Sequence, residues 1–361
     1  MKMAVLLIGR RKLVEEAVRQ YTICNACRYC ESYCPVWPLL HSKPLVKHNE
    51  VLVLANLCYD HRDCYYACPY TTPHEFSINI PRINREIRLE TYSELTFNLT
   101  KRWWGWTIIT LLFIPIILMW VIYWYNIYTQ GPISFYKLIP KNVIVTAGLV
   151  TLAYLVSWIA WFLFKFDRLV GPEYRPSFSS IWSTIIDLLL HRWFSNMHYP
   201  RDYESNARLL YHLLIFYGFA LDLLATIIGA IYEDVLHILS PFPITNPAVI
   251  TGVTGGFMIL TGSLFALYTR YVSVRNQRFI EFSVIDMALV VELLLVALTG
   301  LLVLTFRLIG EAQIMYLTLL IHYTLIYALF ITAPLTTTLP HIIIRPYTYL
   351  IYKAKISRSK I

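Results

Sequence analysis

Two stretches near the front of the chain almost repeat each other: "CNACRYCESYCP", Cys24–Pro35, and "CYDHRDCYYACP", Cys58–Pro69. The first sets cysteines at Cys24, Cys27, Cys30 and Cys34, followed at once by Pro35. The second sets them at Cys58, Cys64 and Cys68 before Pro69, with His61 standing where the repeat calls for a cysteine. These seven are all the cysteines in 361 residues. Their number is odd and their spacing tight. The apolar run "AVLLIG" after Met3 is too short for a secretory signal and lacks a small-residue cleavage site. Metal ligation in a reducing compartment is therefore expected rather than disulfides.

Zinc would need only four ligands in paired C-x2-C knuckles, and the triple run followed by Cys-Pro exceeds that. C-x2-C-x2-C-x3-C-P is the run of two-cluster bacterial ferredoxins, in which the fourth cysteine ligates the neighbouring cluster. The spacing predicts three thiolates of one tight loop on three irons of a cubane. Crossed ligation then assigns a 4Fe–4S cluster to Cys24, Cys27, Cys30 and Cys68. The second cluster draws on Cys34, Cys58 and Cys64, with His61 at the remaining corner. Imidazole is a competent iron ligand, so His61 completes a 4Fe–4S cluster on one reading. On the other, the corner is missing and a 3Fe–4S cluster rests on three cysteines, as in the C-x5-C-x3-C-P pattern of succinate dehydrogenase and fumarate reductase iron–sulfur subunits.

The rest of the chain is of another kind. The sequence is 57% hydrophobic and only 15% charged, with a mean hydropathy of +0.53, which points to the membrane class. The net charge of +9 sits between apolar stretches rather than in one block, so it reads as topology and not as nucleic-acid binding. Apolar stretches of bilayer length recur at about 106–126, 143–164, 209–232, 249–268, 284–306 and 316–338. Pro115 is expected to kink the first and Pro334 to weaken the end of the last.

The fold class expected is thus mainly α: a cytoplasmic ferredoxin-like two-cluster domain over 1–100, a bundle of about six transmembrane helices over 101–345, and a basic tail over 346–361. Lys165, Arg168, Arg175, Arg192, Arg201 and Arg208 crowd the connection after the second span, Arg270, Arg275 and Arg278 the one after the fourth, and Arg345, Lys353, Lys355, Arg358 and Lys360 the tail. The alternate connections hold only Lys137, Lys141 and Arg307, so both termini are expected in the cytoplasm of a multi-pass cell-membrane protein. "SIWSTIIDLLLHRWF", Ser180–Phe194, is interrupted by Asp187, His191 and Arg192 and reads as an interfacial helix rather than a span. "LVEEAVRQY" (Leu13–Tyr21) and "NREIRLETYSEL" (Asn84–Leu95) read as helices, and "GVTGG" (Gly252–Gly256) as a site of close helix packing.

The stretches "ICNACRYCESYCPVWP" and "LANLCYDHRDCYYACPYTTPHEFSINIPR", with the multi-span remainder, resemble the tricarballylate/citrate-utilisation protein B family. The likeness is dense over residues 22–92 and looser beyond. It implies a membrane iron–sulfur and haem protein that reoxidises the FAD of a partner dehydrogenase docked on the cytoplasmic domain and passes its electrons to the quinone pool. The family usually has cysteine where this chain has His61.

Histidine inside a span is costly unless paired or ligating. With no C-x2-C-H, any haem is non-covalent b-type with two axial imidazoles. The candidates are His212, His322, His341 and His237. The nineteen positions between His322 and His341, if helical throughout, cover roughly 28 Å, which suits two haems at different depths better than one. A one-haem arrangement pairs His212 with His322. Asp222 and Glu292 fall inside spans and either relay the protons of quinone reduction or brace the bundle. Other roles fit less well: a heterodisulfide-reductase-like or nitrate-reductase-gamma-like subunit, a redox-sensing transporter, or a scaffold without haem. No nucleophile–base pair or phosphate-cradling loop stands out.

Overall fold

In a computed structural model of the chain, placements are described for residues 2–31, 37, 40, 47–58, 60, 62–96, 135–137, 139–171, 178–192, 203–275, 284–336 and 338–359. The first expected span, at about 106–126, lies outside them. Among the described residues the chain is helical, without strands. Its helices are α1 (Lys2–Cys27), α2 (His48–Leu57), α3 (Asp63–Tyr66), α4 (Ile80–Leu95), α5 (Lys141–Val170), α6 (Phe178–Leu189), α7 (Tyr203–Ala230), α8 (Pro247–Arg275), α9 (Val284–Leu308), α10 (Ala312–Thr332) and α11 (Thr338–Ser359).

The contacts sort these helices into two bodies that are not consecutive in sequence. The first gathers α1–α4, the part of α5 from Ser157, α6 and α11; the second holds α5 as far as Val156 and α7–α10. The basic tail is thus the second half of a helix that begins at Thr338.

In the first body, α4 starts because the Asn79 side chain accepts the Arg82 N–H at 3.1 Å, and Pro81 sits in the first turn, where its missing N–H costs nothing. Ile80, Ile83, Ile87 and Leu95 then form a buried stripe at helical spacing. Helix α2 is buried nearly all round, with Val51, Leu52, Val53, Leu54 and Ala55 in the core. Helix α1 adds Val14, Ala17 and Tyr21 from one face. The end of α4 leaves carbonyls without intrahelical partners, and α5 supplies donors for two of them. The Trp161 indole N–H reaches the Leu95 carbonyl at 3.1 Å and the Lys165 ammonium the Glu94 carbonyl at 2.5 Å. Phe162, Phe166 and Val170 close the joint as buried residues.

Asp187, which interrupts an apolar run in sequence, turns out to be an anchor. Its carboxylate accepts from the Tyr349 hydroxyl at 2.8 Å and from Lys353, and pairs with Arg192 at 3.4 Å. These donors hold it below the usual carboxylate range although burial pushes the other way. Asp187→Asn is expected to loosen α6 from α11 by about 1–3 kcal/mol, read as faster proteolysis or hydrogen exchange over 178–192.

In the second body, five helices among the described residues are long and apolar enough to cross a membrane: Lys141–Val170, Ala207–Val235, Pro247–Val272, Met287–Leu308 and Ala312–Leu335, the first of which continues into the other body. They coincide with the second to sixth stretches read from hydropathy. Near Pro334 regular α-helix stops at Thr332 and Ala333–Leu335 is 3-10. The stretch between His322 and His341 is therefore not one helix, and the depth argument drawn from 28 Å does not hold.

The packing of α7 on α8 explains "GVTGG". A Cβ on Gly255 would stand 2.3 Å from the Asp222 carboxylate and 2.7 Å from the Gly218 carbonyl, and one on Gly262 would stand 2.9 Å from Leu214 Cβ. Gly256 instead faces Leu301 on α9. Without a hydrophobic drive between helices in lipid, such close backbone approach supplies the attraction. Gly255→Leu is expected to part α7 from α8 at a cost of about 1–3 kcal/mol or more, seen as lower thermal resistance in detergent.

Candidate functional site

Helix α1 runs further than its apolar periodicity suggests, through Cys27, so Cys24 and Cys27 sit three apart on its last turn rather than on a free loop. The helix is closed by the Arg28 N–H on the Cys24 carbonyl at 2.9 Å, and Arg28 itself is left-handed with φ 55°. Cys30 follows directly. Cys58 is the residue that ends α2, Cys64 is buried on α3, and the Cys68 sulfur accepts the Tyr70 N–H at 3.4 Å.

The loop between Cys58 and Cys64 carries two non-glycine residues with positive φ, Asp60 at 59° and Arg62 at 70°. Each costs on the order of 1–2 kcal/mol, and such outliers persist where surrounding structure overrides them. An Asp60–Arg62 ion pair at 3.6 Å spans the bend.

Three thiols of the first run and one of the second lie within electrostatic reach of one another. Burial drives the Cys24 thiol well up, and the neighbouring Cys30, Cys68 and Cys27 sulfurs add to it. Cys30 is pushed up to about 11 by burial first and by Cys68 next. Cys68 is raised by burial and by Cys27, against the lowering pull of backbone N–H donors. Cys24, Cys27, Cys30 and Cys68 are the set that crossed ligation selects. Among the described residues no three His, Cys, Asp or Glu side chains converge on one point that could hold a single ion. Four soft thiols with an N–H···S contact are the donor chemistry of an iron–sulfur cluster, whose corners take thiolates spread around a cage. Cys34 and His61 lie outside the described residues, so of the second set only Cys58 and Cys64 are placed.

Two further residues stand between the sets. Tyr21, fully buried, donates its hydroxyl to Asn84, and its phenol is raised by burial and then by Cys58 and, more weakly, Cys24. Arg88, 5% exposed, donates to the Ala55 carbonyl at 2.8 Å and the Cys58 carbonyl at 2.9 Å. Burial works against its charge, but Cys58 and Asp60 more than offset this. Sequence reading passed over both. The isoleucine stripe gave no signal for Arg88, which stands about 100° round α4 from Ile87 and shares its face with Asn84, Tyr92 and Leu95.

His74 belongs to a surface turn. Its Nδ1 accepts the Phe76 N–H at 3.1 Å and its ring packs on Tyr70 and Phe76, while Glu75 is exposed.

Of the candidate haem ligands, His322 has the most developed surroundings. Its Nδ1 lies 3.0 Å from the Thr299 hydroxyl, whose own proton goes to the Leu295 carbonyl at 2.7 Å. The Thr299 hydroxyl and the Val296 carbonyl are both within hydrogen-bonding reach of the ring, and the tautomer with its proton on Nδ1 leaves Nε2 a lone pair for iron. A Cβ on Gly300 would stand 2.9 Å from the ring, so glycine is what makes room for the imidazole. His212 stacks on Phe216, with centroids 6.4 Å apart and planes 11° apart. His237 follows the short π-helix Ile231–Val235 and is left-handed, with φ 54°. His341 is in the first turn of α11 and belongs to the first body, whereas His212 and His322 belong to the second. His191, just past α6, is buried and its imidazole is lowered by that burial. Asp222 faces Gly255, and Glu292 accepts from the buried Thr332 hydroxyl at 3.4 Å.

A helical chain that joins a cysteine-bearing, ferredoxin-like region to helices of bilayer length defines a class of membrane-type iron–sulfur proteins. Within it, the chain belongs to the citrate utilization protein B family. Residues 105–358 match that family, and residues 17–94 match its Fer4-like domain. It is similar to citrate utilization protein B of Escherichia coli, 28% identical over 348 residues that cover 91% of this chain and 90% of that protein. No solved structure matches it.

Proposed function

We propose that this protein carries electrons from a cytoplasmic FAD-dependent dehydrogenase to the membrane quinone pool through two iron–sulfur clusters and haem b. When bound, these groups supply one-electron steps between a two-electron flavin and a quinone. The chain's own residues would do the holding and tuning. Cys24, Cys27, Cys30 and Cys68 would hold the first cluster, a 4Fe–4S; Cys34, Cys58 and Cys64, with or without His61, would hold the second. His322 is the favoured haem ligand because the Thr299 hydroxyl can hold its Nδ1 and Gly300 leaves the ring space. His212 and His237, which belong to the same body as His322, would be the candidates for a second ligand. Asp222 and Glu292 are candidates for protons taken up at a quinone site. Both termini would face the cytoplasm. The name of the Escherichia coli relative suggests that the dehydrogenase served acts on a citrate-like acid.

The observation that carries this reading is the mutual approach of Cys24, Cys27, Cys30 and Cys68, within the stretch that matches the Fer4-like domain. Anaerobically purified protein is expected to contain iron and acid-labile sulfide and to show haem b bands in a reduced-minus-oxidised spectrum. Zinc in place of iron would end the cluster reading, and a flat visible spectrum the haem reading. In the same preparation Thr299→Val is expected to raise the potential of one haem by up to about 60 mV. The imidazole, no longer donating to the hydroxyl, becomes a poorer donor to ferric iron.

A further inference from the structure

Helix α6 has its polarity turned inside out. Ser180, Thr184 and Asp187, with His191 just beyond the helix, are buried, and their spacing makes them one stripe. On the opposite face Phe178 is 83% and Trp182 59% exposed, with Ile181 and Ile185 exposed beside them. A helix on a water-facing surface turns its apolar stripe inward. Here the inward stripe is polar, fixed by the Asp187 contacts to Tyr349 and Lys353, so the outward face is matched to an apolar surrounding.

We propose that α6 lies in the headgroup layer of an anionic bilayer, with Phe178, Ile181, Trp182 and Ile185 among the acyl chains, and so seats the cysteine-bearing body on the membrane. Length excludes a crossing, since twelve residues span about 18 Å against a core of about 30 Å. Two features favour lipid over a second protein. First, the same body contains the end of bilayer-length helix α5, and residues 171–177 between Val170 and Phe178 reach at most about 29 Å, so α6 begins near where α5 leaves the lipid. Second, the charge is complementary to anionic headgroups. The only carboxylate of α6 is the buried Asp187, while Arg192 beside it is 60% exposed. On α5 the Arg168 guanidinium lies 4.4 Å over the exposed Phe164 ring, an apolar stem with a cationic tip as at a lipid interface. The inference rests on the chain being embedded in a bilayer and on no cofactor.

The full chain, carrying Trp182→p-benzoylphenylalanine or, separately, Leu149→p-benzoylphenylalanine, is reconstituted in phosphatidylcholine vesicles with a minor share of phosphatidylglycerol and illuminated. Leu149 is an exposed residue of the bilayer-length helix α5 and reports embedding itself. Intact mass is expected to show phospholipid adducts at both positions, with phosphatidylglycerol enriched about fivefold over its share at position 182. Lipid adducts at 149 with only protein crosslinks at 182, to a second copy or to another segment of the chain, would overturn the proposal. A lipid adduct at 182 without phosphatidylglycerol enrichment would overturn its anionic character. No lipid adduct at either position would overturn the embedding on which it rests.

Discussion

His61→Cys is expected to convert the second cluster into a full four-iron cage. On the proposed ligation, three thiolates from Cys34, Cys58 and Cys64 would leave one corner of the parent protein's cluster without sulfur, and the oxidised protein is expected to show the electron paramagnetic resonance signal of a three-iron cluster. A thiolate at 61 supplies the missing anionic ligand, so that signal should vanish and total cluster iron should rise from about seven to about eight atoms per chain. His61→Ala separates the two roles that a histidine could play. If the corner is vacant, the alanine variant keeps the three-iron signal at full strength. If imidazole ligates a fourth iron, the parent lacks the signal and the alanine variant gains it.

Much of this arrangement is legible in the amino-acid sequence because it is written in local code. The two Cys-Pro runs suggest which thiols could share a cage, and Cys24, Cys27, Cys30 and Cys68 do approach one another. Five of the expected spans fall within a few residues of α5 and α7–α10, since twenty apolar residues in a row leave little choice but helix. The polarity of α6 was only half legible. Periodicity locates the helix, yet Asp187 reads as an interruption until Tyr349 and Lys353, more than 160 positions away, arrive to make it the buried side. The extension of α1 through Cys27 was hidden because "CNAC" carries no helical periodicity of its own. Long-range partners of single polar residues are what one sequence does not disclose.

Arg88 is the most consequential of those, and its removal carries the second large expectation. The guanidinium is buried, grips the Ala55 and Cys58 carbonyls, and sets a permanent positive charge beside Cys58, the proposed ligand of the second cluster. Reduction adds one negative charge to a cluster, so a nearby cation favours the reduced state and raises the potential. With an effective dielectric of about 20, a unit charge some 8–12 Å from the added electron is worth about 1.4–2 kcal/mol. At about 59 mV for each tenfold change in a one-electron equilibrium, this is on the order of 60–90 mV. Arg88→Gln keeps a donor for the carbonyls but loses the charge, and a redox titration followed by electron paramagnetic resonance should show the second cluster lowered by that amount while the first moves less. Arg88→Lys keeps the charge and should hold the potential near the parent value, even if the weaker grip on two carbonyls lowers thermal resistance. The pair of variants thus separates field from scaffold. A potential that follows loop stability, falling in both, would mean that Arg88 only shapes the loop. A potential that follows charge, falling in the glutamine variant alone, would make a residue of helix α4 the electrostatic control on the entry of electrons into the membrane.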